Sequence, residues 1–220
     1  MNAQRGFARQ RGALVSCNHP KPYGPGWDFL NVTNFDCLEV WNGPWFLFNQ
    51  LAVDYWLSLL QSGRRIPAVA GSDFHRLSEI DNVIARAPGA PVTWVHVLGK
   101  PDAARILQAI AAGHVSLSDD PKGPFLDLRA GKEGEAMLGD LLASPLGEKL
   151  PLQVRCLRGI GGSLRILDQN GIRLERKITQ DEETVLAELP SAGSLYFRAE
   201  LRFVEEQLRA MTNPIYLSQQ

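Results

Sequence analysis

The sequence predicts an α/β layer followed by a small antiparallel β-sandwich, with the change near residues 119–124. Two observations predict it. Before that point short apolar runs alternate with segments of helical spacing, the pattern of a parallel sheet with crossover helices. After it apolar and polar residues alternate with a period of two between turn signals, the pattern of antiparallel strands. The boundary itself, Asp119-Asp120-Pro121-Lys122-Gly123-Pro124, is polar and rich in turn formers. It divides the chain into an expected α/β unit over residues 1–120 and an expected β-sandwich over residues 121–220.

Taken in order, residues 13–18 form a short apolar strand that ends at His19-Pro20. Residues 37–41 form a second, ending at Asn42-Gly43-Pro44. Between Phe46 and Ser62 apolar residues recur at Leu47, Leu51, Tyr55 and Leu59, and at Val53, Trp56 and Leu60. That is helical spacing, and Gly63 falls where a C-terminal cap belongs. Residues 66–70 are a third strand, running into Gly71-Ser72-Asp73-Phe74-His75, and residues 92–98 are a fourth. Pro101 opens a helix that runs through Ala112 and stops at Gly113. In the second half Leu150, Leu152, Val154 and Cys156 alternate with polar positions, and residues 164–167 and 172–174 form a hairpin across Asn170-Gly171.

Composition excludes several functions. The chain has 220 residues, 45% hydrophobic and 21% charged, with a formal charge of -1, so no basic field draws nucleic acid or an anionic membrane. No apolar run reaches the ~18 residues of a membrane helix. The basic start lacks the apolar core of a signal peptide, so the cytoplasm is the expected compartment. Cys17, Cys37 and Cys156 form no Cys-x-x-Cys, which excludes a zinc ribbon or a redox dithiol and leaves buried, reduced thiols.

The chemistry-bearing residues stand at strand ends. His19, Glu39 and the Asp73/His75 pair each fall at or just before the C-terminal end of a predicted strand, the edge where parallel α/β folds collect their ligands. Ionisable groups there need a partner, and one divalent ion can partner several. Asp73 and His75, two apart, project the same way from an extended segment, which lets them hold one ion or two neighbours. Carboxylate plus imidazole suits Zn, Mn or Fe. His19, Asp73 and His75 are therefore the expected metal ligands. Glu39 either orients a ligand, serves as the pocket base, or forms a core ion pair. Asn42 positions substrate or caps a turn. Trp41, Trp45 and Trp27 wall an apolar pocket or fill the core. His96, in mid-strand, reads as structural, and His114, after a helix-stopping glycine, as solvated; Arg64-Arg65 and Asp119-Asp120 read as surface charges. With no glycine-rich phosphate loop and no Gly-x-Ser-x-Gly, covalent serine chemistry is disfavoured.

Asn18-His19-Pro20, then Leu38-Glu39-Val40-Trp41-Asn42-Gly43, then Gly71-Ser72-Asp73-Phe74-His75, in that order and spacing, resemble the PHP (polymerase and histidinol phosphatase) superfamily, in particular its carbaryl-hydrolase-like metallohydrolases. Residues 91–98, the helix to Gly113 with Val115-Ser116, and Thr212-Asn213-Pro214-Ile215-Tyr216 extend the resemblance over nearly the whole chain. It implies a distorted (β/α)7 barrel with two or three metals at its C-terminal rim, His19, Asp73 and His75 among the ligands, and water activated on the metal to hydrolyse a small-molecule phosphoester, carbamate or related ester. It also implies a His-x-His strand and further ligands ahead of Asn-His-Pro. The 18 residues before His19 contain no His, Asp or Glu. The expectation is thus the C-terminal half of such a barrel, followed by the β-sandwich, with a homo-oligomer as one way to complete it. The alternative is a degenerate module that binds or assembles without catalysis.

Overall fold

The computed structural model describes residues 2–21, 34–75, 88–144 and 148–219. Trp27 lies outside the described residues. The first half runs α1 (Asn2–Arg9), β1 (Ser16–Cys17), β2 (Cys37–Asn42), α2 (Asn49–Gln61), β3 (Ala68–Gly71), β4 (Val92–Val95), α3 (Ala103–Ala112) and β5 (Val115–Ser118). Among its described residues the regular elements of the second half are strands and one short 3-10 turn: β6 (Phe125–Ala130), β7 (Ala136–Met137), β8 (Leu141–Ser144), β9 (Lys149–Leu157), β10 (Ser163–Asp168), β11 (Gly171–Lys177), β12 (Glu182–Pro190), β13 (Tyr196–Arg202), β14 (Leu208–Thr212) and β15 (Ile215–Gln219). No helix among the described residues is long and apolar enough to cross a membrane.

The helices follow their local chemistry. Asp102 caps α3 by accepting the Arg105 N–H at 2.8 Å, and Gly113 closes it at φ 81°, a left-handed conformation that costs glycine nothing. α2 buries Ala52, Val53, Trp56 and Leu60 on one stripe, and the Trp56 indole donates to the Ile66 carbonyl at 2.7 Å.

The expected partial (β/α)7 barrel with a following β-sandwich is not what forms. Strands make up 42% of the described residues and helices 16%. A parallel layer exists, but it is a three-stranded sheet in the order β1-β2-β3. β4, expected as its next strand, instead pairs antiparallel with β5, Val92 opposite Ser118 through Val95 opposite Val115. β5 pairs antiparallel with β14, so both join an eight-stranded sheet in the order β11-β10-β13-β14-β5-β4 with β15 and β8 branching from β13. A four-stranded sheet, β12-β9-β6-β7, completes the architecture. The reason for the departure is that a helix can connect an antiparallel return as readily as a parallel crossover. Once β14 offers its edge, β5 takes it and draws β4 along.

Two apolar clusters hold the layers together. One lies between the eight- and four-stranded sheets, around Leu126, Leu128, Val154, Ile166, Phe197 and Leu201. The other joins α2 and the parallel sheet to the back of the larger sheet, around Leu38, Trp41, Trp56, Leu117, Tyr196 and Met211. β13 separates the two and is buried on both faces. Its Phe197, Ala199 and Leu201 enter the first cluster. On its other face stand Arg198, Glu200 and Arg202, all buried. Glu200 accepts from the Arg202 Nε at 2.7 Å and from Arg198 Nη1, while the Arg202 guanidinium reaches Gln50 Oε1 of α2 at 3.0 Å. The two guanidinium groups lie over Trp56 and Trp45, at 6.0 and 5.7 Å.

The edge of β3 is joined to the larger sheet by side chains standing in for a strand. Asn213 accepts the Ala68 N–H at 2.7 Å and returns its amide to the Ala68 and Val115 carbonyls at 2.9 Å each. The Thr93 hydroxyl accepts from the Ala70 N–H at 2.8 Å and donates to the Ala70 carbonyl at 2.9 Å. The backbone groups of an otherwise open parallel edge are thereby satisfied.

Candidate functional site

Parallel pairing sets the ends of β2 and β3 side by side, Asn42 opposite Gly71, while β1 ends earlier, with Cys17 opposite Leu38. The register slips between Glu39 and Trp41. A bulge of this kind re-aims side chains. Val40 and Trp41 both enter the apolar cluster, while the Glu39 carboxyl is left half-buried near the rim. Trp41, expected against substrate, is 1% exposed and packs edge-on against Trp45 with ring centroids 5.1 Å apart.

Beyond each strand the chain turns sharply. His19 and Asp73 both adopt positive φ, 32° and 52°. Asp and His tolerate this region better than most residues, yet each such position costs roughly 1–3 kcal/mol and needs support from its surroundings. The turn after β3 brings the His75 Nε2 to 2.7 Å from Asp73 Oδ1, with side chains 69% and 46% exposed.

Glu39 sits at the centre. Its Oε1 accepts from the Asn42 amide at 3.4 Å, and the His19 N–H also donates to the carboxylate. A Cβ on Gly71 would lie 2.6 Å from the same Oε1, so a side chain there would displace the carboxyl. The other oxygen, Oε2, is sealed from solvent and has no hydrogen-bond partner among the described residues. Burial pushes the carboxyl above its ordinary value, the Asn42 amide and His19 pull it down, and the Asp73 charge adds to the rise.

Two further residues complete the rim. Lys21 is 8% exposed, and its ammonium donates to the Leu47 carbonyl at 2.7 Å. Burial lowers its pKa, against the opposing pull of Glu39 and Asp73. Asn49 is fully buried and fastens the turn after β2: its Oδ1 accepts the Asn42 N–H at 2.9 Å, and its amide donates to the Asn42 and Pro44 carbonyls at 3.1 and 2.8 Å. Glu39 and Asn42 are thus positioned from behind by a residue that touches neither side chain.

The fold therefore sets His19, Glu39, Asn42 and Asp73 along one edge, with His75 tied to Asp73. Asp73 Oδ1 and His75 Nε2 meet at 2.7 Å, a hydrogen-bond distance shorter than the ~3.4 Å between tetrahedral donors each ~2.1 Å from one ion, so a shared ion would have to part them. Among the described residues, however, no three His, Cys, Asp or Glu side chains converge where they could hold an ion. Sequence pattern alone pointed to His19, Glu39, Asn42, Asp73 and His75, with Gly71 as a close approach beside them, but missed Lys21 and Asn49. Lys21 carries a weak signal, standing two positions after His19; Asn49, at the head of a helical run, reads as an ordinary N-terminal cap.

No protein-family model matches the chain, and no curated protein matches it.

Proposed function

We propose that the rim is the centre of a metal-dependent hydrolase of the PHP type, acting on a small-molecule phosphoester, carbamate or related ester. The observation that carries this reading is the Glu39 carboxyl. It stands half-buried within β2 of the parallel sheet, with one oxygen sealed from solvent and without a hydrogen-bond partner among the described residues, beside His19 and Asp73. A carboxyl in that setting costs the fold stability unless it works on a ligand.

Asp73, His75 and His19 would hold a divalent ion, Zn, Mn or Fe. A bound ion supplies a Lewis acid and water activated near neutral pH. Glu39, oriented by Asn42, is the group placed to take or return a proton at the reacting oxygen. The Lys21 ammonium offsets part of the carboxylate charge along the same edge.

The test is elemental analysis of the whole chain, purified without chelator and then resupplied with Mn or Zn, beside Asp73→Ala and His75→Ala. Bound metal should fall in both variants, and ester hydrolysis should vanish with EDTA and return with the ion. Metal content unchanged in both variants, or hydrolysis that survives EDTA, would show the assignment to be wrong.

One observation favours a second function, a binding or assembly module without catalysis: the described residues form no group of three metal donors. Background metal content together with an unreactive ester panel would decide for it, and light scattering would then report whether the chain self-associates.

A further inference from the structure

A second group of ionisable side chains lies where α3 meets the β4–β5 pair, away from the rim. The ladder continues past Val95 and Val115, with the His96 N–H donating to the His114 carbonyl at 2.8 Å. The two imidazoles thus leave neighbouring strands on the face that also carries Trp94 and Ser116. They are not packed as core histidines. On one side they line a cavity of about 160 Å3, with Trp94, Phe125, Asp127 and Leu138. On the other they line a crevice of about 350 Å3 under α3, with Val97, Arg105, Gln108 and Ala109. The larger space falls within the ~300–1,000 Å3 range of small-molecule sites.

Charge decides what it would take. Among the described residues the carboxylates nearby are already engaged. Asp140 Oδ1 holds the His114 Nε2 at 2.9 Å, and its Oδ2 accepts the Met137 N–H at 2.9 Å. Asp127 accepts from the Arg129 Nε at 3.1 Å, and Asp102 accepts the Arg105 N–H at 2.8 Å while its Oδ2 lies 3.7 Å from the Arg105 Nη1, a loose ion pair that leaves the rest of the guanidinium to the crevice. Arg105 Nη1 donates to the Lys100 carbonyl at 2.7 Å, which steadies the guanidinium along the crevice wall. What faces the crevice is a set of donors: a guanidinium, a primary amide and two imidazoles, beside the apolar Val97 and Ala109.

We propose that this crevice binds a small organic anion, a carboxylate with a short apolar body. Its head sits on Arg105, Gln108 and His96, and its body lies against Val97 and Ala109. His114, oriented by Asp140, forms the inner wall.

The experiment is an NMR titration of the full chain with sodium butyrate, following the ring signals of His96 and His114, with butylammonium as the cationic control. Butyrate should shift both histidines saturably and with one affinity, and butylammonium should shift neither. Arg105→Ala and Gln108→Leu, both on exposed positions of α3, should each weaken binding about tenfold, the loss of one charged or polar contact. Their melting temperatures should match the parent, which separates lost binding from lost folding. Absence of saturable shifts, equal shifts with butylammonium, or undiminished affinity in both variants would overturn the proposal.

Discussion

Glu200 offers a sharp test of how the two halves of the chain are joined. It is buried between Arg198 and Arg202 on the face of β13 that meets α2. Burial pushes its carboxyl up, but the two guanidinium groups outweigh that and hold it down from 4.5 to about 2. By linkage a drop of that size corresponds to about 3 kcal/mol of stability. The sign follows from the direction. A carboxyl whose folded value lies below its unfolded one stabilises the fold fully above 4.5, and that contribution is lost as pH falls from 4.5 through about 2. Glu200→Gln removes the charge and leaves two buried cations facing each other, so the variant should lose about 3 kcal/mol or more at neutral pH. Urea unfolding of both proteins, stepped down in pH, measures the difference directly. Subtracting one curve from the other cancels the titration of every distant carboxyl. The difference should be flat near neutrality and close as the solution passes below 4.5. A cost under about 1 kcal/mol, typical of an exposed pair, or a difference that stays constant on acidification, would refute the reasoning.

Other outcomes follow from features of the rim and core. Asn49→Ala should cost about 2–3 kcal/mol, because it strips partners from the buried Asn42 and Pro44 backbone groups; a loss under about 0.5 kcal/mol in thermal or urea unfolding would contradict the clamp. Gly71→Ala drives a methyl group into Glu39 Oε1 and should lower ester hydrolysis at least tenfold while costing only about 1 kcal/mol of stability, so full activity would count against Glu39 as a working group. Cys156 is pushed up to about 12 by burial and by the Glu183 and Asp181 charges, and burial raises Cys37 as well. Both should resist a thiol-disulfide reagent in the native protein and react only after denaturation; fast native labelling of either would mean that the core opens there.

Much of the local structure is legible in the sequence, and the reasons are local. α3 is bounded by Asp102 and Gly113, whose capping is an affair of three or four residues. The β10–β11 hairpin is marked by Asn170-Gly171 at its turn. The strand ends that carry His19, Glu39 and Asp73 are marked by the glycines, prolines and polar residues where apolar runs stop. The sheet to which β4 belongs is not legible. Alternation along Val92-Thr93-Trp94-Val95 states that a strand exists and is silent on the direction of its neighbour. That direction is settled by β14, far along the chain, which takes β5 and so commits β4. The same distance hides Asn213, whose bonds to Ala68 span most of the sequence. The bulge in β2 also escapes the pattern: regular alternation sets Glu39 and Trp41 on one face, and one slipped residue sends the indole inward.

Asn213 has one more consequence, which concerns the lifetime of the protein rather than its folding. Beside Thr93, the junction between the parallel sheet and the larger sheet relies on the Asn213 side-chain amide, whose NH2 donates to two carbonyls. Loss of that amide nitrogen would leave a carboxylate facing those two carbonyl oxygens, with no donor to offer them. The usual chemical route to such damage begins with attack on the side chain by the next residue's backbone nitrogen. Here the next residue is Pro214, whose nitrogen carries no hydrogen. The residue on which the joint depends is thus followed by the one residue that closes this route, and the joint is built to age slowly.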